Sequence, residues 1–207
     1  MNNIILVGGF AETIELCKLC DLNIVGIIDK TANDSLCDYP VLGDDDAAEK
    51  IFSIYPNVPV IIAPDSPNVR KKLFKHYTDI GFMISSLISP KAFISPSAKL
   101  GEGCIVQSFC NISTNVAIGN GVKINTYANI MHDVRISDFV TIAPNSVLLG
   151  SVQVGESAYI GANSTIIQTH KIGAGAIVGA GAVVTKDVPE QTTVVGVPAK
   201  VIRRSAL

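Results

Sequence analysis

Charge is scarce in this chain. Only 16% of its 207 residues are Asp, Glu, Lys or Arg, and the formal net charge is −2. A phosphate-backbone binder needs a basic surface, so the balance argues against a nucleic-acid ligand. A basic cluster such as Arg70-Lys71-Lys72 reads as a solvated helix face. Long apolar runs are missing too. Hydrophobic residues make up 48% of the chain, yet no run approaches the roughly 18 residues of a membrane-spanning helix. The short stretch Ile4–Val7 lacks a basic flank and a cleavage pattern, which argues against a secretory signal. Five cysteines, an odd count with no export signal, fit a reducing cytoplasm. Cys17-Lys-Leu-Cys20 has C-x-x-C spacing, but it falls inside a helical segment rather than at its start, and it reads as packing.

Residues 1–87 alternate strand and helix. Strands are predicted at Asn3–Val7, Asn23–Ile28, Val58–Ala63 and Met83–Leu87. Helices are predicted at Ala11–Cys20, Asp44–Ile51 and from Ser66-Pro67 to about Thr78. Acidic residues open the second helix, as the macrodipole favours, and Ser66 and Pro67 are N-cap and first-turn signals for the third. Strands separated by helices imply a parallel α/β sheet.

Residues 88–207 follow another grammar. Every sixth residue from Ile88 to Val184 is aliphatic, with no slip in phase. The fourth residue after each aliphatic is small or β-branched, except His170. Gly101, Gly119, Gly155 and Gly173 recur at multiples of eighteen, with Ser137 in the vacant slot. A six-residue period is neither helical nor simple strand. Three hexads per glycine period imply a triangular coil, stacked so that each strand pairs with the coils above and below, about 4.8 Å away. The aliphatic positions form one inward column, so no coil is stable without its neighbours.

Two histidines depart from this pattern. His132 lies two residues after an inward aliphatic and is either a surface histidine or a general base. Imidazole, with an ordinary pKa of about 6.5, accepts at neutral pH the proton that an attacking amine must lose. Asp133 can hold the ring only if the strand ends there, because adjacent strand residues point to opposite faces. His170 occupies an inward slot, as a hydrogen-bonded corner residue, in a bulged coil, or as a ligand contact. With His76 in the first segment, three histidines on one metal are not expected, so a zinc hydrase is set aside.

The hexad grammar, with Val195-Gly196-Val197-Pro198-Ala199-Lys200 closing it, resembles the left-handed parallel β-helix of the hexapeptide acyltransferases. The left hand comes from that resemblance. The two-part plan, with Ile124-Asn125-Thr126 followed by Ile130-Met131-His132, looks like the nucleotide-linked aminosugar N-acetyltransferases and sialic acid O-acetyltransferases. In these a Rossmann-like nucleotide-sugar domain, here 1–87, precedes the β-helix, here 88–207. The resemblance implies a cytoplasmic homotrimer with acetyl-coenzyme A between β-helices and no metal. It implies His132 as base, Asp133 as its acid partner and Asn125 as an active-site amide. Gly150, Ala162, Ala180 and Lys200 would contact the coenzyme. Gly8, Gly9, Phe10, Asp29, Lys30 and Arg70 would hold the nucleotide sugar, with the Gly8-Gly9 turn near the pyrophosphate.

That turn departs from the family. Relatives carry a richer G-x-x-G-x-G loop, often with a histidine, whereas here Ala11 and Thr13 replace glycines and Glu12 replaces the histidine. A carboxylate beside a pyrophosphate is unfavourable, and two glycines give a dinucleotide reading little support. The expected activity is acetyl transfer to the amino group of a dTDP- or UDP-linked 4-amino-4,6-dideoxysugar for surface glycan synthesis. O-acetylation of sialic acid or a similar hydroxyl, and a non-catalytic scaffold, are the alternatives.

Overall fold

The computed structural model describes residues 2–30 and 35–204, arranged in two compact units, Met1–Pro90 and Lys91–Leu207. In the first, β1 (Asn2–Val7), α1 (Ala11–Leu19), β2 (Leu22–Ile28), β3 (Ser35–Leu36), β4 (Tyr39–Gly43), α2 (Ala48–Ile54), β5 (Val60–Ile62) and α3 (Pro67–Ile80) follow in order. The sheet order is β3-β4-β2-β1-β5, parallel except for the β3–β4 hairpin. Ile4, Ile5, Leu6 and Val7 are all buried, as a strand covered on both faces requires. The chain leaves β1 toward β2 on one side and later adds β5 on the other. Their carboxyl ends therefore flank a topological switch point, where open α/β sheets bind ligands.

The hairpin was not expected from the sequence. Its two turn residues, Cys37 and Asp38, both have positive φ, as a tight primed turn demands, without the usual glycine. In place of the expected strand at 83–87, Ile84 makes an isolated bridge to Val60 and Leu87 begins a two-residue strand, Leu87–Ile88. Helix α3 runs past Thr78 to Ile80 and stops at Gly81, whose φ of 111° is a left-handed C-cap. Ser66 occupies the N-cap position but its hydroxyl makes no capping bond. Cys17 is buried, and burial, then the nearby Cys20, pushes its thiol up to about 12, so it packs rather than reacts.

The second unit is the left-handed β-helix. Two-residue strands such as Asn111–Ile112, Asn129–Ile130 and Val147–Leu148 pair in parallel with those eighteen residues on, coil over coil. One face runs from Phe93–Ile94 to Val183–Val184, a second from Lys99–Leu100 to Lys171–Ile172, and a third from Ile105–Val106 to Ile177–Val178. The third is extended by Thr192–Val195 and the antiparallel Lys200–Arg204. Inward aliphatics from Val106 to Val184 are 0–5% exposed, and the small residues four positions on share their column.

The corners need positive φ at the third residue after each aliphatic from Leu100 to Val178: Phe109, Asn115, Tyr127, Asp133 and Asn145 all have φ near 60°. The eighteen-residue glycines serve a different need. A Cβ at Gly119 would lie 2.2 Å from Asp138 Oδ1 and 2.7 Å from its backbone nitrogen, so glycine admits the next coil. Ile142, fully buried between Ile124 and Ile160, is a direct test of the column. Ile142→Ala is expected to destabilise the protein by about 2–5 kcal/mol, read by denaturant unfolding.

Candidate active site

The β-strand Asn129–Ile130 ends two residues short of the corner, and this brings His132 and Asp133 together. Asp133 takes φ 62° and its N–H donates to Thr114 O (3.0 Å), which fixes the turn. The alternation of a continuous strand no longer applies, and Asp133 Oδ2 lies 2.9 Å from His132 Nδ1. Asn115 Nδ2, one coil below, donates to Asp133 Oδ1 at 3.3 Å. The His132 and Asn115 hydrogen bonds, in that order, hold the Asp133 carboxyl below the usual carboxylate range. With Nδ1–H donating to the carboxylate, Nε2 presents its lone pair outward, the tautomer a general base needs. Because the Asp133 pKa is lowered, the carboxylate that accepts from His132 is fully ionised above the ordinary carboxylate pKa and is lost only as pH falls through the lowered value. A carboxyl-carbon NMR titration of Asp133 is expected to show a midpoint below 3.8, the ordinary value.

Gly150 sits one coil above on the same corner. A Cβ there would fall 2.6 Å from His132 Cε1 and 2.7 Å from Nε2, so the imidazole packs directly on the glycine backbone. Gly150 O accepts Thr169 N–H (3.0 Å), while among the described residues the Gly150 N–H enters no ladder bond. That donor, beside the basic nitrogen, suits an oxyanion.

Other expected site residues are placed differently. Ala162 and Ala180 stack on another corner, following the third face, with Gly181 N–H donating to Ala162 O (2.8 Å). Lys200 is exposed on the hairpin formed by the closing Gly-Val-Pro-Ala-Lys segment, opposite Val195. Asn125 opens the corner after the third face, seven residues before His132, and is 6% exposed. Its Nδ2 donates to Ile142 O (3.0 Å), so within one chain Asn125 secures the next coil and is not joined to His132. His170 is a hydrogen-bonded corner residue: Nδ1 lies 3.2 Å from Asp187 Oδ1, with about a quarter of the side chain exposed.

In the first unit, Val7, Gly8, Phe10, Ile28, Asp29, Lys30, Asp45, Pro64, Val69 and Leu73 line a cavity of about 290 Å³ at the carboxyl ends of β1, β2 and β5. It gathers Gly8, Phe10, Asp29 and Lys30. The N–H groups of the glycine turn are engaged within the protein. Gly8 N–H donates to Ile28 O (2.9 Å), Gly9 N–H to Asp29 Oδ2 (2.8 Å) and Phe10 N–H to Gly8 O (3.1 Å). Asp29 thus takes the donor expected to meet phosphate, and Leu36 covers Gly9, where a Cβ would lie 1.8 Å from its Cδ2. Arg70 lies inside the fold. It is 1% exposed, and Nη1 donates to Pro64 O (2.9 Å) and Asp65 O (3.0 Å), so it supports the cavity wall from within. Asp45 was missed; the acidic run Asp44–Asp46 had been read only as a helix-start signal. Among the described residues no group of three His, Cys, Asp or Glu side chains is arranged to hold a metal ion.

A three-faced β-helix with a histidine–aspartate pair packed on a glycine backbone at one corner fits an acyltransferase of the hexapeptide-repeat class. The comparisons agree. The family "Bacterial transferase hexapeptide (six repeats)" matches residues 115–150 and 133–168. GDP-perosamine N-acetyltransferase from Caulobacter crescentus, solved with CoA and GDP-perosamine, is 33% identical, with a TM-score of 0.92 over 98% of both chains. The acetyltransferase domain of PglB from Neisseria gonorrhoeae, solved with acetyl coenzyme A, is 27% identical (TM-score 0.90, 98% of this chain and 100% of that one). WeeI from Acinetobacter baumannii is 30% identical (TM-score 0.84, 97% and 100%). No curated protein sequence matches significantly. The chain belongs to the hexapeptide-repeat family of nucleotide-sugar acetyltransferases.

Proposed function

We propose that the protein transfers the acetyl group of acetyl-coenzyme A to the amino group of a nucleotide-linked 4-amino-4,6-dideoxysugar. The observation that carries this reading is the His132–Asp133 pair beneath Gly150. The amine nitrogen attacks the thioester carbonyl while His132 Nε2 takes its proton. The Gly150 N–H receives the oxyanion, a contact worth a few kcal/mol when preorganised. Collapse breaks the carbon–sulfur bond, and the imidazolium returns the proton to the leaving thiolate. Asp133 steadies the imidazolium between these steps. No covalent enzyme intermediate forms.

We assign the coenzyme to a seam between copies in a homotrimer. Within one chain His132 and Gly150 lie on one corner, whereas Ala162 and Ala180 lie on the other. The face between these corners carries Asn111, Asn129, Val147, Thr165 and Val183 outward, with no charge, while the second face carries Lys99, Arg135 and Lys171. An uncharged face suits contact with a second copy. Five unpaired cysteines support a reducing, cytoplasmic location, and no helix among the described residues is long and apolar enough to cross a membrane.

The test is thiol release from acetyl-coenzyme A against a panel of nucleotide-linked 4-aminosugars, with dTDP, UDP and GDP carriers. Release with at least one 4-amino acceptor, and a mass gain of one acetyl on its nitrogen, is expected. Transfer only to a sialic acid hydroxyl, or no transfer to any acceptor, would overturn the reading. Analytical ultracentrifugation checks the trimer.

A further inference from the structure

The carrier nucleotide is where the first unit says more than the sequence did. We propose that its cavity selects a guanosine diphosphate carrier, with Asp45 as the residue that reads the base. This rests on the nucleotide-sugar reading above.

The cavity has the build of a base pocket. Phe10, Pro64, Val69 and Leu73 give it apolar walls, and its polar groups are few: Asp29, Lys30 and Asp45. The Phe10 ring is 43% exposed, which leaves an aromatic surface open for stacking. Asp29 is already engaged, since its Oδ2 accepts the Gly9 N–H. Asp45 is held from behind. Its Oδ1 accepts the hydroxyl of Tyr77 at 2.8 Å, and Tyr77 is fully buried in α3, edge-on to Phe82. A second contact fixes the same residue, with His76 Nε2 3.1 Å from Asp45 O. The carboxylate is therefore a positioned acceptor whose Oδ2 carries no hydrogen bond among the described residues, on the wall of a largely apolar cavity.

An acceptor of that kind discriminates among bases. A carboxylate accepts hydrogen bonds and donates none. Guanine alone among the common bases presents two adjacent donors on its pairing edge, N1–H and the N2 amino group. Uracil and thymine present one N–H between two carbonyl oxygens, which a carboxylate repels. Adenine and cytosine present one amino group beside a bare ring nitrogen. Lys30, on the same cavity, has the sign that the guanine O6 takes. A site built to accept a donor pair rejects ligands lacking it, because its buried acceptor is then left unpaired.

Calorimetric titration of the full-length protein with GDP, IDP, UDP, dTDP and ADP tests this. GDP is expected to bind at least tenfold tighter than UDP, dTDP or ADP, and several-fold tighter than IDP, which lacks only the N2 amino group. Asp45→Asn is expected to lose GDP affinity and to gain affinity for xanthosine diphosphate. The amide still accepts N1–H and now donates to the C2 carbonyl of xanthine. Damage to Tyr77 packing alone would weaken every nucleotide and rescue none. If Asp45→Asn does not fold, the GDP-to-IDP ratio of the unaltered protein decides. UDP or dTDP binding as tight as GDP, or equal binding of GDP and IDP, would overturn the base assignment and leave the acetyltransferase reading standing. Binding of no nucleoside diphosphate at all would sink the nucleotide-sugar reading itself.

Discussion

Replacing His132 with alanine is expected to lower kcat for acetyl transfer by about 10²- to 10⁴-fold, the usual worth of a positioned general base. The fold should not notice. The His132 side chain is 57% exposed and belongs to no core cluster, so the melting temperature should stay within a degree or two. The KM for acetyl-coenzyme A should change little, because the ring is placed to take a proton from the acceptor rather than to grip the coenzyme. The loss should shrink as pH rises, since a larger share of the acceptor amine is then already deprotonated. Steady-state kinetics across pH, with circular dichroism as the folding control, reads all of this. Turnover within tenfold of the unaltered enzyme would remove His132 from the chemistry.

The β-helix was legible in the sequence because its period is strict. Each inward aliphatic has a partner eighteen residues away, and the pairing of Ile112 with Ile130 or Ile124 with Ile142 follows directly. The corners were less legible. Glycine at Gly101, Gly119, Gly155 and Gly173 marks close approach of coils, while the positive φ falls two residues later, on Gly103, Gly121, Ser157 and Gly175, and at the other corners on Asn, Asp and even Phe and Tyr. That shift is what turns Asp133 beside His132, and the alternation rule for a continuous strand had no means of showing it. The hairpin at Cys37-Asp38 was hidden for a similar reason, since both turn residues adopt positive φ without glycine.

The lining of the first-unit cavity was legible in part. Asp29 and Phe10 line the cavity as their position after β2 and β1 suggested. Arg70 misled because a basic cluster reads as exposed. Yet Pro67, Arg70 and Tyr77 are three and seven residues apart and share the buried face of α3, a spacing the sequence did contain. Asp45 had no such signal: its importance comes from Tyr77, thirty-two residues away.

The second large effect is expected at Gly150. Its φ is not in the left-handed range, so alanine is conformationally allowed there and the substitution acts through space alone. The new Cβ would stand 2.6 Å from His132 Cε1, 2.7 Å from Nε2 and 3.2 Å from Nδ1. Contacts that short do not persist, so the ring must swing off the corner and lose its alignment with Asp133. A misplacement of about 1 Å in a catalytic group costs on the order of 10²-fold in rate, and Gly150→Ala should lose about that in kcat with little change in stability. A double-mutant cycle separates the two roles of the glycine. In a His132→Ala background the colliding ring is gone, so a steric penalty should nearly vanish. A penalty of equal size in both backgrounds would place the effect on the Gly150 N–H and its hold on the oxyanion, and the clash with the imidazole would then not be the cause.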